Sequence, residues 1–145
     1  MTSAEKGKTA DAGYQVGVRR TWPVPLEVAW LWLVSPEGMS VWLDADAPRR
    51  AGAGVAFEAR DGVRCEFRVV NERVNVRLGW RKPEWERSST VQVRTIEASP
   101  DKTTISFHQD RLADAATREA MKRHWEDVST RVGQALAEVE RKARP

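Results

Sequence analysis

The chain has 145 residues, of which 41% are hydrophobic and 31% charged, and its formal net charge is +3. This length and balance are typical of one globular domain, and the small basic excess, with no helix-turn-helix, zinc-ligand or ribonucleoprotein motif, argues against nucleic-acid binding. There is no apolar run of about 18 residues and no secretory signal, so we predict a cytoplasmic protein without a membrane span.

The first ordered element is predicted to start near residue 14. Residues 1–13 are small and charged without periodicity, which predicts a disordered leader before a single domain over residues 14–141. Apolar and polar residues alternate from Tyr14 to Trp22, which indicates a first strand, and Pro23 ends it.

Two short helices are predicted next, over residues 26–34 and 35–42. The break between them falls at Ser35, because the residue before a proline disfavours the helical conformation. We expect Trp30 and Trp42 to be core residues that attach these helices to the sheet.

A three-stranded antiparallel meander is predicted from residue 54 to residue 80. A three-residue loop over residues 60–62, with Gly62 in the left-handed conformation, places Phe57 opposite Cys65. A one-residue slip would turn every side chain to the other face, so this turn fixes which face is apolar.

The second turn of the meander is predicted at Asn71-Glu72 as a two-residue loop. It would place Phe67 opposite Val76 and Cys65 opposite Leu78, on the same apolar face that the first turn defines. The opposite face would carry two acidic residues, Glu58 across from Arg64 and Glu66 across from Arg77, among five arginines. The predicted outward arginines are Arg60, Arg64, Arg68, Arg77 and Arg81.

A last hairpin is predicted over residues 88–98 and 103–110, with a loop at 99–101 that places Val93 opposite Phe107. A long helix then begins after Asp114, a typical N-cap residue, and runs to about residue 141. Its apolar stripe comprises Met121, Trp125, Val128, Val132, Ala135, Leu136 and Val139.

The pattern of reactive residues predicts neither a metal nor a cofactor. Cys65 is the single cysteine and is expected to be a small buried hydrophobe. His108, predicted to face outward, and His124 are the two histidines, without paired ligand spacing, and there is no Gly-rich phosphate loop before a helix.

The order of these elements predicts an α+β fold, in which a six-stranded curved antiparallel sheet wraps around the long C-terminal helix. The two short helices lie between strands 1 and 2. Such a sheet does not close tightly on one helix along its whole length, so a cavity is expected between them.

Several short motifs carry a resemblance to a known family. They are Val28 to Trp30, Ser35-Pro36-Glu37 with Trp42, Gly52-Ala53-Gly54 before Phe57, Val70-Asn71-Glu72-Arg73 leading to Leu78-Gly79-Trp80, Ser89-Thr90-Val91, Thr103 to His108, and His124-Trp125. Over about residues 14 to 140 the sequence resembles START-like (helix-grip, SRPBCC) proteins, specifically bacterial single-domain members of the branch named for the activator of heat-shock-protein-90 ATPase. The resemblance implies a pocket for a hydrophobic ligand and does not imply one chemistry.

We therefore predict binding of a small, largely hydrophobic ligand without defined catalysis, by a monomer or homodimer. The predicted ligand-binding residues are Phe67, Leu78, Trp80, Trp85, Phe107, Met121, His124 and Trp125. Gln109, Thr95 or His124 would supply polar selection. One alternative is a cyclase or hydrolase that uses His124 with Asp127 as its orienting group. Another is a chaperone or protein-interaction module that docks a partner on the arginine-bearing sheet face.

Overall fold

The fold is one sheet wrapped around one long helix, seen here in a computed structural model that describes residues 8–9, 13–46, 48 and 50–143. The elements are β1 (Lys8–Thr9), β2 (Gly13–Trp22), α1 (Leu26–Val34), α2 (Pro36–Trp42), β3 (Ala56–Glu58), β4 (Arg64–Asn71), β5 (Asn75–Arg81), β6 (Ser89–Ser99), β7 (Lys102–Leu112) and α3 (Ala115–Ala143). The strands form an antiparallel sheet in the order β1-β2-β7-β6-β5-β4-β3. The predicted α+β helix-grip fold is confirmed.

The short strand β1 precedes the six predicted strands. Lys8 pairs with Tyr14 and Thr9 pairs with Gly13, so β1 extends the sheet at the β2 edge. The rest of the predicted leader lies outside the described residues.

The two short helices are held together at the predicted break. The Ser35 hydroxyl accepts a hydrogen bond from the Gly38 amide (3.0 Å) and so caps α2. The same hydroxyl donates to the Trp32 carbonyl at the end of α1 (2.6 Å). The Trp42 indole donates to the Leu33 carbonyl (2.8 Å), so this buried ring fixes α2 against α1.

The first turn of the meander forms as predicted. Phe57 pairs with Cys65, and Gly62 adopts a φ of 78°, which is the left-handed conformation that glycine accommodates. The Ala59 amide donates to the Val63 carbonyl (2.7 Å) and closes the loop.

The second turn of the meander differs from the prediction. Phe67 pairs with Leu78 rather than Val76, and Cys65 pairs with Trp80 rather than Leu78. The body of the strand is displaced by two residues, and an even displacement leaves each side chain on its predicted face.

The cause of this displacement is a longer loop combined with a bulge. The strands separate at the pair Asn71 and Asn75, whose side chains are hydrogen-bonded (2.8 Å), and Arg73 takes a left-handed φ of 64° in the loop. A register shift at Arg68 then absorbs one residue. Beyond the bulge the two faces of β4 are exchanged, so Val70 packs against the core. Val74, predicted to lie inward, falls in the loop before β5 and is 49% exposed.

The last hairpin and the long helix follow the prediction. Val93 pairs with Phe107, and the Asp114 carboxylate accepts from the Thr117 amide (2.7 Å) at the start of α3. The buried stripe of α3 includes Met121, Trp125, Val128, Val132 and Leu136 and faces the concave side of the sheet.

Candidate ligand-binding site

The structure brings the eight predicted ligand-binding residues together between the sheet and α3, where they form what we call the aromatic cluster. The ring centroid of Trp80 on β5 lies 5.3 Å from that of Trp85, 5.7 Å from that of His124 and 6.3 Å from that of Trp125. Phe107 stacks on Trp125 at 5.1 Å with an interplanar angle of 14°. These are the separations of aromatic rings in direct contact.

Most of this cluster is deeply buried. The residues exposed by 3% or less are Phe67, Leu78, Trp80, Phe107, Met121 and Trp125. Trp85 and His124 are partly buried. The cluster is therefore least buried where Trp85 covers Trp80, because the Trp85 ring belongs to the loop between β5 and β6.

A buried chain of hydrogen bonds supports the cluster from the sheet side. The Trp125 indole donates to the Gln109 carbonyl oxygen (2.8 Å), and the Gln109 amide nitrogen donates to the Ser89 hydroxyl (2.8 Å). The Ser89 hydroxyl donates to the Trp80 carbonyl (2.5 Å). Gln109, predicted to select the ligand, thus orients Trp125 instead, and no pattern in the sequence indicated the part that Ser89 plays.

A second predicted polar group is also engaged within the protein. The Thr95 hydroxyl donates to the Arg73 carbonyl (3.2 Å) in the loop between β4 and β5. In this arrangement it supports that loop.

The His124 side chain is uncharged at neutral pH. Burial lowers its pKa to about 4, with smaller lowering effects from the positive charges of Lys82 and Arg131, against opposing effects of Asp127 and Asp44. Its ring meets Trp125 edge to face at a centroid distance of 4.7 Å.

The predicted catalytic pair of His124 and Asp127 is not formed. The Asp127 carboxylate instead lies 3.1 Å from the Arg131 guanidinium, and within the described residues His124 has no hydrogen-bond partner. Burial also raises the pKa of the Cys65 thiol to about 12, so that this group stays protonated and unreactive.

An open apolar groove lies elsewhere along α3, and we call it the Trp22 groove. Its volume is about 350 Å³. It lies between the connection from β2 to α1 and the C-terminal half of α3, and it is lined by Trp22, Pro23, Val24, Gly133, Leu136, Ala137, Glu140 and Arg141. None of the eight predicted residues lines it.

The Trp22 groove depends on a glycine in the apolar stripe of α3. A Cβ atom at Gly133 would lie only 2.2 Å from the Trp22 ring, so the indole lies directly against the bare helix backbone. A glycine in a helix interior lowers the stability of the helix by about 1 kcal/mol relative to alanine. An unfavourable residue in the apolar stripe of α3 was therefore the feature of the sequence that could have indicated this close contact. The polar end of the groove carries Glu140 and Arg141, and Arg141 is paired with Glu138.

Two further features are absent from the described part of the chain. Within residues 8–9, 13–46, 48 and 50–143, there is no group of three His, Cys, Asp or Glu residues able to hold a metal ion. Among the helices of those same residues, none is long and apolar enough to cross a membrane.

Comparison with known proteins gives one family and a set of shared folds. The family model described as Activator of Hsp90 ATPase homolog 1-like protein matches residues 23–137. Among solved structures, protein MLL2253 from Mesorhizobium loti is 20% identical with a TM-score of 0.67, and the match covers 86% of this chain and 97% of that one. PFC0360w, an HSP90 activator from Plasmodium falciparum, is 17% identical with a TM-score of 0.66, covering 77% and 86%.

A further structural neighbour is larger than this chain. DynU16, from the dynemicin biosynthetic locus, is 16% identical with a TM-score of 0.75, and the match covers 85% of this chain but only 47% of DynU16. At these identities the likeness establishes the fold alone. Among curated protein sequences none matches this chain significantly.

Proposed function

The chain belongs to the family of Activator of Hsp90 ATPase homolog 1-like proteins, and from that premise we propose that it binds a small, largely apolar molecule between α3 and the sheet, in the Trp22 groove. The observation that carries the proposal is an open groove of about 350 Å³ between α3 and the segment that leaves the sheet at the end of β2. Small-molecule sites are commonly concave, mostly apolar and about 300–1,000 Å³ in volume.

The chemistry of the groove indicates how such a ligand would lie. Trp22, Val24 and Leu136 supply apolar contact, and each square ångström of apolar ligand surface removed from water contributes about 25 cal/mol. Glu140 and Arg141 stand at the polar end, so a polar group of the ligand would be directed toward them. The ligand class is therefore an apolar body with one polar end.

The aromatic cluster is the alternative position for the same class of ligand. Its eight residues remain a prediction as a binding site, because in the structure their rings contact one another. A ligand there would have to displace Trp85, which is held by a hydrogen bond from Arg81 to its carbonyl (2.8 Å). The groove needs no such displacement, so we place the ligand in the groove.

The proposal assigns no reaction to the protein. A cyclase or hydrolase would need a polarised general base, and the carboxylate predicted to orient His124 is paired with Arg131. A protein partner on the arginine-bearing sheet face remains an alternative, which charge reversal of Arg64 and Arg77 would test. The cytoplasmic location and the monomeric or dimeric state also remain predictions.

The test uses 1-anilinonaphthalene-8-sulfonate, an apolar probe with one charged group, and follows its fluorescence. Ala137 is exposed and lines the groove, so Ala137→Phe should fill it and weaken probe binding at least tenfold. Gln134→Phe adds the same ring to an exposed position of α3 outside the groove and should change the affinity less than twofold.

A third variant separates the two positions. Trp85→Ala uncovers Trp80 and should leave the affinity unchanged if the probe lies in the groove. Stronger binding to Trp85→Ala, with Ala137→Phe like the unmodified protein, would move the site to the aromatic cluster. Absence of saturable binding to every variant would contradict the proposed function altogether.

A further inference from the structure

A second cavity, of about 550 Å³, opens on the face of the sheet that points away from α3. It is lined by Arg68, Val69, Arg77, Ser88, Thr90, Asp110 and Arg111, and we call it the arginine pocket. The register places it on the outer face: Thr90 pairs with both Gly79 and Asp110, whereas their chain neighbours Leu78 and Gln109 are buried on the helix side. It is therefore separate from the Trp22 groove and independent of the proposed function.

Gly79 on β5 lies next to two of the residues that line the arginine pocket. A Cβ atom at Gly79 would lie 3.0 Å from the Arg68 Nη2 atom and 3.3 Å from the Ser88 hydroxyl oxygen. The missing side chain thus lets the Arg68 guanidinium lie close over β5, beside a hydroxyl group.

Two irregularities of the sheet border the pocket. The bulge at Arg68 in β4 is one of them, and bulges commonly redirect a side chain next to functional sites. The other lies in the pairing of β2 with β7, where the register shifts between Tyr14 and Val16 and Arg111 adopts a left-handed φ of 60°. Such a conformation is uncommon for a residue other than glycine and is found most often where it is functionally useful.

The charges in the arginine pocket are uncompensated. Within the described part of the chain, the guanidinium groups of Arg68, Arg77 and Arg111 form no ion pair or hydrogen bond. Glu66, predicted to face Arg77, lies opposite Gly79 instead, because the strand is displaced. Among the residues that line the pocket there are therefore three guanidinium groups and a single carboxylate, that of Asp110.

The Asp110 side chain adds a second requirement. Its Oδ1 atom is buried and accepts no hydrogen bond from the described residues. A carboxylate with a buried oxygen that lacks a donor is costly, so a molecule that fills the pocket is favoured if it brings a donor to the Asp110 carboxylate. The positive guanidinium groups favour an anionic ligand. The Asp110 carboxylate favours a ligand that carries a hydroxyl group close to its anionic group.

We propose that the arginine pocket binds a phosphate monoester that carries a free hydroxyl group, of the kind found in sugar phosphates. The planar guanidinium fork suits phosphate oxygens, and the hydroxyls of Ser88 and Thr90 are further donors. The ligand hydroxyl donates to the Asp110 carboxylate, which lines the pocket. A concave pocket of this volume fits a small molecule.

Isothermal titration calorimetry at fixed ionic strength tests the proposal by measuring the affinity for three probes: glycerol 3-phosphate, inorganic phosphate and glycerol. Glycerol 3-phosphate should bind saturably and at least fivefold more tightly than inorganic phosphate, and glycerol should not bind. Arg77→Gln should weaken glycerol 3-phosphate at least tenfold, and Arg68→Gln serves in its place if that variant does not fold. Asp110→Ala should make glycerol 3-phosphate and inorganic phosphate bind alike, because it removes the acceptor for the ligand hydroxyl.

The matched control is Arg94→Gln, which removes the same charge from an exposed position on β6 outside the pocket and should change the affinity less than twofold. Equal weakening by Arg94→Gln and Arg77→Gln would overturn the proposal, since that result indicates diffuse attraction of anions. Vesicles containing phosphatidic acid separate a lipid headgroup from a free ester. Binding to those vesicles without binding to soluble glycerol 3-phosphate would likewise overturn it.

Discussion

Replacing Trp125 with alanine is expected to lower the free energy of unfolding by about 3–5 kcal/mol, the usual cost of truncating a buried aromatic side chain. The side chain is 1% exposed, stacks on Phe107 and donates to Gln109 (2.8 Å). The substitution removes those contacts and leaves the Gln109 carbonyl oxygen without its donor. Urea denaturation followed by far-ultraviolet circular dichroism measures the change.

A double-mutant cycle separates the hydrogen bond from the packing. Trp125→Phe leaves the Gln109 acceptor unpaired, and Gln109→Leu leaves the Trp125 donor unpaired, so each should cost about 1–3 kcal/mol. Combining them removes both partners, and the double variant should be more stable than the sum of the two losses predicts. Trp85→Phe is the control, because it is partly buried and should combine additively with Gln109→Leu. Additive losses for Trp125→Phe and Gln109→Leu would contradict a coupled pair.

The fold could be predicted from the sequence wherever a residue marks a turn or a face. Gly62 marked the left-handed position of the first hairpin, Asp114 marked the start of α3, and both are observed in those roles. The prediction of the second turn was wrong because the left-handed residue of that turn is Arg73. Residues other than glycine rarely indicate that conformation in a sequence. The bulge at Arg68 also involves no glycine, so no residue of the sequence indicates its position.

The candidate sites show a similar division. The aromatic cluster was predictable because inward residues of strands and one stripe of a helix must meet across a core. The Trp22 groove depends on which two elements approach closely, and the sequence offered only Gly133 as a sign. The arginine pocket was missed because Glu66 was expected to pair with Arg77, and one displaced strand changed that neighbour to Gly79.

The relation between the two ends of α3 follows from the same packing. Trp125 is held by hydrogen bonds and stacked rings, whereas eight residues further along Gly133 leaves Trp22 against bare backbone. The aromatic cluster therefore fixes α3 on the sheet. Space remains near Gly133, where the Trp22 ring contacts the helix backbone. The part of α3 around Trp125 is thus expected to contribute most to stability, and the proposed ligand site lies further along the helix at Gly133.

The stability of the protein is expected to fall as the pH is lowered from about 6.5 to about 4, because His124 is neutral in the folded state and binds a proton on unfolding. Burial, reinforced by Lys82 and Arg131, lowers the pKa of His124 to about 4 in the folded chain, whereas an unfolded histidine has a pKa near 6.5. In that interval the unfolded state binds the proton and the folded state does not. Lowering the pH therefore favours unfolding, and the loss should reach about 3 kcal/mol once the pH is below both values.

His124→Phe isolates this contribution, because phenylalanine keeps a ring against Trp80 and Trp125 but does not titrate. Whatever offset the new ring introduces at pH 7, the variant should gain about 2–3 kcal/mol relative to the unmodified protein as the pH falls to 4. Subtracting the two pH profiles removes the contributions of the carboxylates that both proteins share. His108→Gln, on the outer face where the ring contacts Gln15 (3.0 Å), leaves His124 in place and should retain the loss. A constant difference between His124→Phe and the unmodified protein across this range would show that the imidazole is protonated as readily in the folded chain as in water.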